Sequence, residues 1–448
     1  MKKTLLYYIL LQFCLVAFAF GCGDSDDDGK ALENSVEACS DGADNDGDGA
    51  VDCADAGCKA FCVDSETEVP LDWKTTWVSS QMSVDDANMP QNPGLPGNTL
   101  REKIQISIGG EQIRFTFSNL YGEASLPILK VGVAESTGGS SIDKDTIQIL
   151  TFSGAESVTI DAEDTVTSDP IEWALEPRAD IAISIYFDED VPEEITGHPG
   201  ARTQCYIADG DAVEEKSFSG SQAPRWYFLS SVDVMTDAES KGVVAFGDSI
   251  TDGYASTTDG NNRWTDELSL RLLGNSGTEN IAVLNHGIGG NCLTVTCLGS
   301  SGKTRFEDDA LSPIGVEWVI LLEGINDLAY NAGISTEWLI DTITEMVDSA
   351  HEQDVKVLGG TIMPCEGHTH YTEEGEAIRQ EFNEWVRTTD VLDGFIDFDK
   401  ITRDPTAPTK LSAEVDSGDH LHPGPEGYAI MAEGIDLALF EAQSSEEE

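Results

Sequence analysis

Between Leu100 and about Met235, apolar and polar positions alternate over short stretches. Ile104, Ile106 and Ile108 alternate with Gln105 and Ser107, and beyond Gly109-Gly110 the alternation resumes at Ile113, Phe115 and Phe117. A period of two marks half-buried strands, and the glycine pair predicts a hairpin-like turn between them. Further short strands are expected at 128–133, 147–152, 157–160, 180–187 and 226–231. Together they predict an all-β domain over 100–238, a β-sandwich or jelly roll. A Pro/Gly-rich stretch precedes it, so 64–99, with Trp73 and Trp77, reads as a linker. Nothing in the β domain has the spacing of a catalytic set, and its expected role is structural or in carbohydrate binding.

At Lys241 the pattern changes. Continuous apolar runs at Val243–Phe246, Ile281–Leu284, Val316–Leu322 and Val355–Leu358 alternate with helix-like segments at 263–273, 336–351 and 373–387. Strands apolar on both faces, separated by helices, predict an α/β domain over 239–440 with a covered parallel sheet. Such sheets place their working loops beyond the strand C-termini. The unusual polar loops all fall there: Gly247-Asp248-Ser249-Ile250, Asn285 to Asn291, Glu323 to Asp327, and Gly359 to Pro364.

The N-terminus adds a location. Lys2 and Lys3 precede an apolar run from Leu5 to Phe20, and Gly21-Cys22-Gly23 leads into the acidic stretch Asp24 to Asp28. Residues 1–22 therefore read as an export signal, with Cys22 resembling the cysteine of a bacterial lipoprotein box. The expected place is the outer membrane or cell surface as a lipoprotein, or the exterior as a secreted protein. After an acidic tether at 23–36 come four cysteines between Cys39 and Cys62, with Asp44, Asp46, Asp48 and Asp52 among glycines. Alternating oxygen ligands suit calcium, and the 37–63 segment resembles the cysteine-flanked calcium repeats of surface proteins; a disulfide-pinned spacer without an ion is the other reading. Export permits disulfides. Cys292 and Cys297 form an expected local bridge, while Cys205 and Cys365 are either paired or buried free thiols. The chain of 448 residues carries a net charge of -58, from 83 acidic and 25 basic side chains, and ends in an acidic tail at 441–448. That charge repels nucleic-acid phosphates and anionic membrane surfaces, so neither is an expected partner.

Ser249 stands where the first strand of the α/β region ends. A serine hydroxyl is a weak nucleophile unless a base takes its proton. Asp419-His420-Leu421-His422 supplies a base, His422, with a carboxylate three residues earlier that can fix its tautomer. His420 is the alternative base, at poorer spacing from Asp419. An oxyanion needs donors, and the Gly290 N–H, the Asn326 amide and the Ser249 N–H are the candidates. Asp248, Asn291, Arg305, Glu323 and Glu366 are the candidate substrate-pocket residues; His368-Thr369-His370 reads as a solvated or hydrogen-bonding pair rather than a metal site.

Gly247 to Ile250, Asn285 to Asn291, Gly324 to Asp327 and Asp419 to His422, in this order, resemble the four blocks of an SGNH (GDSL) hydrolase over residues 243–434, with Ile250 where leucine is usual. The resemblance implies a three-layer α/β fold and acyl transfer at Ser249, with Gly290 and Asn326 completing the oxyanion hole and no cofactor in catalysis. Asn262-Arg263-Trp264, His286 to Asn291 and Asp416 to His422, with Ser118-Asn119-Leu120-Tyr121-Gly122 in the β domain, resemble a secreted branch that includes esterases of xylan-degrading systems. The implied substrate is an acetyl or other short acyl ester on a polysaccharide. A general carboxylesterase, lysophospholipase or lipase-like hydrolase is the alternative.

Overall fold

The computed structural model describes residues 70–441, with Val51 and Cys58 before them. The export segment, Cys22 and the aspartates Asp44, Asp46, Asp48 and Asp52 lie outside the described residues, as does the tail after Glu441. The described residues from Pro70 onward lie in one compact unit.

The β-rich region holds β1 (Leu71–Val78), β2 (Asn98–Gln105), β3 (Gly110–Ser118), β4 (Leu126–Gly138), β5 (Ile171–Leu175), β6 (Asp180–Phe187), β7 (Cys205–Asp209) and β8 (Leu229–Asp237), with shorter strands between them. All these pairings are antiparallel. One sheet runs β1-β8-β3-β5 and the other β7-β2-β6-β4. Phe115, Phe117, Val232 and Val234 from the first and Val131, Val133, Ile183 and Ile185 from the second are buried in the same apolar cluster.

Two expectations need correction here. β2 and β3 do not form a hairpin, because they belong to different sheets. The chain leaves β2 at Gln105, and the next residues bond elsewhere: Ile106 N–H donates to Ala179 O at 3.1 Å, and Ser107 N–H to Thr76 O at 3.0 Å. Alternation dictates which side of a strand is buried, not which strand it pairs with. The 64–99 stretch is also more than a linker, since β1 lies in it and pairs with β8 from Leu71–Asp237 to Val78–Ser231.

The α/β region has β9 (Lys241–Gly247), β10 (Ile281–Gly287), β11 (Val316–Leu322), β12 (Lys356–Gly360) and β13 (Gly394–Ile396), all parallel, in the order β10-β9-β11-β12-β13. Val243, Val244, Ala245 and Phe246 are all buried, as expected of a strand covered on both faces. The helices that matter below are α1 (Ser249–Asp252), α2 (Trp264–Leu273), α3 (Ile325–Tyr330), α4 (Thr336–His351), α5 (Glu373–Thr388) and α6 (Pro425–Glu433). Ser335 caps α4 by accepting from Trp338 N–H, and Thr372 caps α5 by accepting from Gly375 N–H. The unexpected strand is β13, whose apolar signal is only Phe395 and Ile396.

The two regions share hydrogen bonds as well as a core. Ser107 Oγ accepts from Val283 N–H of β10 at 2.8 Å, and Thr75 and Ile314 exchange bonds at 2.9 and 3.0 Å.

Candidate active site

Ser249 opens α1 directly after β9, and Asp248 caps that helix by accepting from Ile250 N–H at 2.9 Å. The tight junction lifts the serine to the C-terminal edge of the sheet. On the last loop before α6, Asp419 accepts from the backbone N–H groups of Leu421 at 2.9 Å and His422 at 2.8 Å. Its other oxygen lies 2.7 Å from His422 Nδ1, and His422 Nε2 lies 2.8 Å from Ser249 Oγ. Because the carboxylate can only accept, Nδ1 carries the proton, which leaves Nε2 to accept from the serine hydroxyl. His420 is not part of this chain: it is 53% exposed and bonds Asp416 instead, at 2.6 Å.

Electrostatics agree with that protonation. Burial alone would raise the Asp419 pKa, but the bonds from His422 N–H, the His422 ring and Leu421 N–H hold it down to about 2. Burial pulls the His422 pKa below its ordinary value, and Asp419 opposes only part of that. The imidazole is therefore neutral, as a base must be, at neutral pH.

The oxyanion candidates come from neighbouring strand ends. Gly290, beyond β10, has φ +74°, a left-handed conformation that glycine adopts without strain. Asn326, near the start of α3, is buried, and its Nδ2 donates to Asn291 O at 2.8 Å. An amide nitrogen has two hydrogens, so this bond fixes the side chain and leaves one donor free.

Residues 245–430 match the family model described as GDSL-like lipase/acylhydrolase. That region belongs to the GDSL family of hydrolases. Among solved structures, the chain is similar to a lipolytic protein of the G-D-S-L family from Desulfitobacterium hafniense (24% identity, 43% of this chain and 97% of that one, TM-score 0.34). It is similar also to an acylhydrolase from Bacteroides fragilis (21%, 46% and 88%, TM-score 0.34) and to a carbohydrate acetylesterase from Sinorhizobium meliloti (15%, 43% and 94%, TM-score 0.35). The search of curated proteins found no match.

Four of the five expected pocket residues, Asp248, Asn291, Arg305 and Glu323, are buried. Arg305 is the hub. It donates to Asn291 Oδ1 at 3.0 Å, His286 O at 2.9 Å, Gly247 O at 3.0 Å and Asp309 at 2.8 Å, reaches Glu323 at 3.4 Å, and lies over the Phe246 ring. A guanidinium presents five donors in a fixed plane, so it ties the ends of β9 and β10 together from inside. Burial pushes the Asp248 pKa up to about 7, and burial with the nearby Asp248 carboxyl raises Glu323 well above the usual range. Glu366 is only partly covered and bonds Thr409 and Lys410. Asp327, which sequence left unassigned, accepts from the N–H groups of Leu293 at 2.7 Å and Thr294 at 2.9 Å, and so anchors the loop closed by the Cys292–Cys297 disulfide. Cys205 and Cys365 are buried free thiols, with pKa values pushed up by burial to about 12 and about 11.

Several residues at the site gave no readable signal in sequence. Tyr254, 46% exposed, packs on the His422 ring with centroids 4.3 Å apart. Ser80, from the stretch read as linker, lies 2.8 Å from His286 Nδ1. His198 and Arg202 of the β-rich region reach Asp252, 2.9 and 3.1 Å away, on the helix that carries Ser249. Only Asp252 could have been suspected, standing three residues after Ser249. A cavity of about 500 Å³, lined in part by Trp77, Lys103, His198, Trp226, Asp252 and Arg263, lies along this seam; Ser249 does not line it. Among the described residues, no group of three or more His, Cys, Asp or Glu side chains is arranged to hold a metal ion, and no helix is long and apolar enough to cross a membrane.

Proposed function

We propose that this protein is a serine esterase that removes short acyl groups, chiefly acetyl, from polysaccharides such as xylan. The esterase reading is carried by the unbroken hydrogen-bonded chain from Ser249 through His422 to Asp419. In it, Ser249 attacks the ester carbonyl as His422 takes its proton, and Asp419 steadies the imidazolium that forms. The tetrahedral oxyanion is held by the N–H groups of Ser249 and Gly290 and the free Nδ2 hydrogen of Asn326. Collapse expels the alcohol as His422 returns the proton to it, and water then opens the acyl-enzyme by the same route.

The substrate class follows from the branch resemblance of the sequence blocks, and the setting supports it. Tyr254, Leu298 and Tyr330 are exposed around these loops, at 46%, 55% and 60%. Their flat and apolar faces suit the ring of a sugar that stays outside while a small acyl group enters. Leu298 stands against Gly290, where an added Cβ would come within 2.7 Å of its Cδ1.

The test is acetate release from acetylated xylan by the protein without its signal segment, with Ser249→Ala as control. Serine-dependent release supports the whole reading. Cleavage of p-nitrophenyl acetate with xylan acetate untouched would keep the serine esterase and remove the substrate class.

The remaining parts of the proposal concern the β-rich region and the N-terminus. The shared apolar core of the two antiparallel sheets supports a β-sandwich. Export with a lipid on Cys22 predicts incorporation of labelled fatty acid that Cys22→Ala removes. Calcium held by Asp44, Asp46, Asp48 and Asp52 predicts a saturable calorimetric signal that is lost when these become asparagine.

A further inference from the structure

The segment that follows the nucleophile is clasped by one loop of the β-rich region. His198 Nε2 lies 2.9 Å from Asp252 Oδ1, and its Nδ1 lies 2.8 Å from Ser80 O. Both ring nitrogens face acceptors. Arg202 Nη2 donates to the other Asp252 oxygen at 3.1 Å. Gly200 passes so close that a Cβ there would sit 2.0 Å from Asp252 Oδ2. The same loop holds the chain further on: Asp259 N–H donates to Arg202 O and accepts from Gln204 N–H through Oδ1, each at 2.9 Å, while Arg263 donates to Ala201 O. Asp252 is 3% exposed, on the one-turn helix that begins at Ser249.

Arg202 does more than pair with Asp252. Its guanidinium lies over the Tyr254 ring, 5.0 Å from the centroid, and the other side of the contact chain is Tyr254 against His422 at 4.3 Å. Tyr254 is itself fixed from below, since Tyr428 Oη donates to Tyr254 O at 2.7 Å. Arg202 has φ +53°, a left-handed backbone unusual for an arginine, so the surrounding bonds hold it in place. A planar cation over an aromatic ring restricts the ring's tilt as well as its position.

We propose that Arg202 is a positioning residue for the His422 base, acting through Tyr254 and Asp252, so that the β-rich and α/β regions form one catalytic unit. The proposal rests on His422 being the base. The groups facing His422 are Asp419 on its own loop, Ser249 and Tyr254 after β9, His368 and His370 on the loop after β12, and Arg202 from the β-rich region. Of these, Asp419 favours the imidazolium, whereas the Arg202 charge and the neighbouring histidines oppose it. Loss of Arg202 therefore raises the His422 titration midpoint, and frees Tyr254 to tilt.

The experiment uses the full chain with Arg202→Ala, Arg202→Lys and Tyr254→Leu, read by NMR titration of the His422 ring signals and by p-nitrophenyl acetate turnover. Arg202→Ala is expected to raise the His422 midpoint and to lower kcat roughly ten- to a hundredfold, the scale of a small misplacement of a reacting group. Arg202→Lys should restore the midpoint, because the charge returns, but not kcat, because an ammonium cannot replace the stacked plane. Tyr254→Leu should lower kcat comparably. A folded Arg202→Ala with an unchanged His422 midpoint overturns the proposal whatever its rate, since a merely structural role would leave that titration alone. If Ser249→Ala kept full activity, the esterase reading would fail instead, and the NMR result would still judge Arg202.

Discussion

The α/β region supplies every group in the chain from Ser249 to Asp419, whereas the β-rich region supplies groups that stand one contact further out. Ser249, Asn326 and His422 sit on loops after β9 and β11 and before α6, at one end of one sheet. Ser80, His198 and Arg202 make their contacts with His286, Arg305, Asp252 and the ring of Tyr254. The difference is one of chemistry. Ser249 and His422 are nearly as covered as the groups around them, at 8% and 9% exposure, so what separates the two kinds is bonding: the Ser249–His422 pair can exchange a proton, while Asp252 and His286 are held in fixed bonds. Arg305 shows the second kind inside the α/β region itself, at 5% exposure.

That division can be broken at its strongest point first. Ser249→Ala should lower kcat about a millionfold, as removal of a nucleophile does when it acts as a unit with its base, measured on p-nitrophenyl acetate with circular dichroism as the fold check. Arg305→Met should cost stability rather than chemistry, about 3–5 kcal/mol, because Asp309 and two main-chain carbonyls lose their buried donor; the denaturant midpoint reads this. An unchanged midpoint would place Arg305 back among pocket residues. Asn326→Ala should reduce transition-state stabilisation by about 2.7–4 kcal/mol with the fold intact, and an unchanged kcat would remove it from the oxyanion hole. On the β-rich side, Ser80→Ala should lower stability by about 1–3 kcal/mol, the cost of leaving His286 Nδ1 unpaired, with kcat changed only a few-fold.

The smallest effect is the pH dependence. His422 must be neutral to accept a proton, and its pKa is lowered from 6.5, so the acid limb of kcat/KM should have its midpoint below pH 6.5 and be flat above it. Asp419, held near pKa 2, stays ionised across that limb and adds no second step to it. Its lowered pKa also makes a stability contribution that is complete above its unfolded value and lost as the pH falls toward 2. A midpoint above 6.5 would mean that the Asp419 interaction outweighs burial.

The two regions were also unequally legible from sequence. In the α/β region, apolar runs and helical segments predicted four of the five strands of the parallel sheet and the principal helices, because both faces of each strand are buried and crossovers between parallel strands leave little freedom. β13 escaped, being three residues long, as did the antiparallel pair Arg403–Asp404 and Ala407–Leu411. The β-rich strands were visible too, but not their partners: β2 and β3, adjacent in sequence, went to different sheets, and β1 emerged from a supposed linker. At the site, the pairing of Asp419 with His422 was legible because the two stand three residues apart, whereas Ser249 meets His422 across 173 residues of chain. Asp248, Arg305 and Glu323 were named from their neighbourhood alone, and that all three are buried was not readable, since a polar residue beside a motif looks the same in sequence whether it faces substrate or the interior.

By itself, then, the sequence determined the elements of the α/β region, the order of its loops and the identities of the residues that could react. Those are local properties, set by periodicity and by the bonding rules of individual side chains. Only the tertiary structure decided that His422 comes within hydrogen-bond distance of Ser249, that Arg305 is a buried strut, and that His198 and Arg202 reach the nucleophile's helix from more than 45 residues earlier in the chain. These depend on which surfaces pack together, and packing between distant segments follows from the fit of whole faces, which no short stretch of sequence encodes.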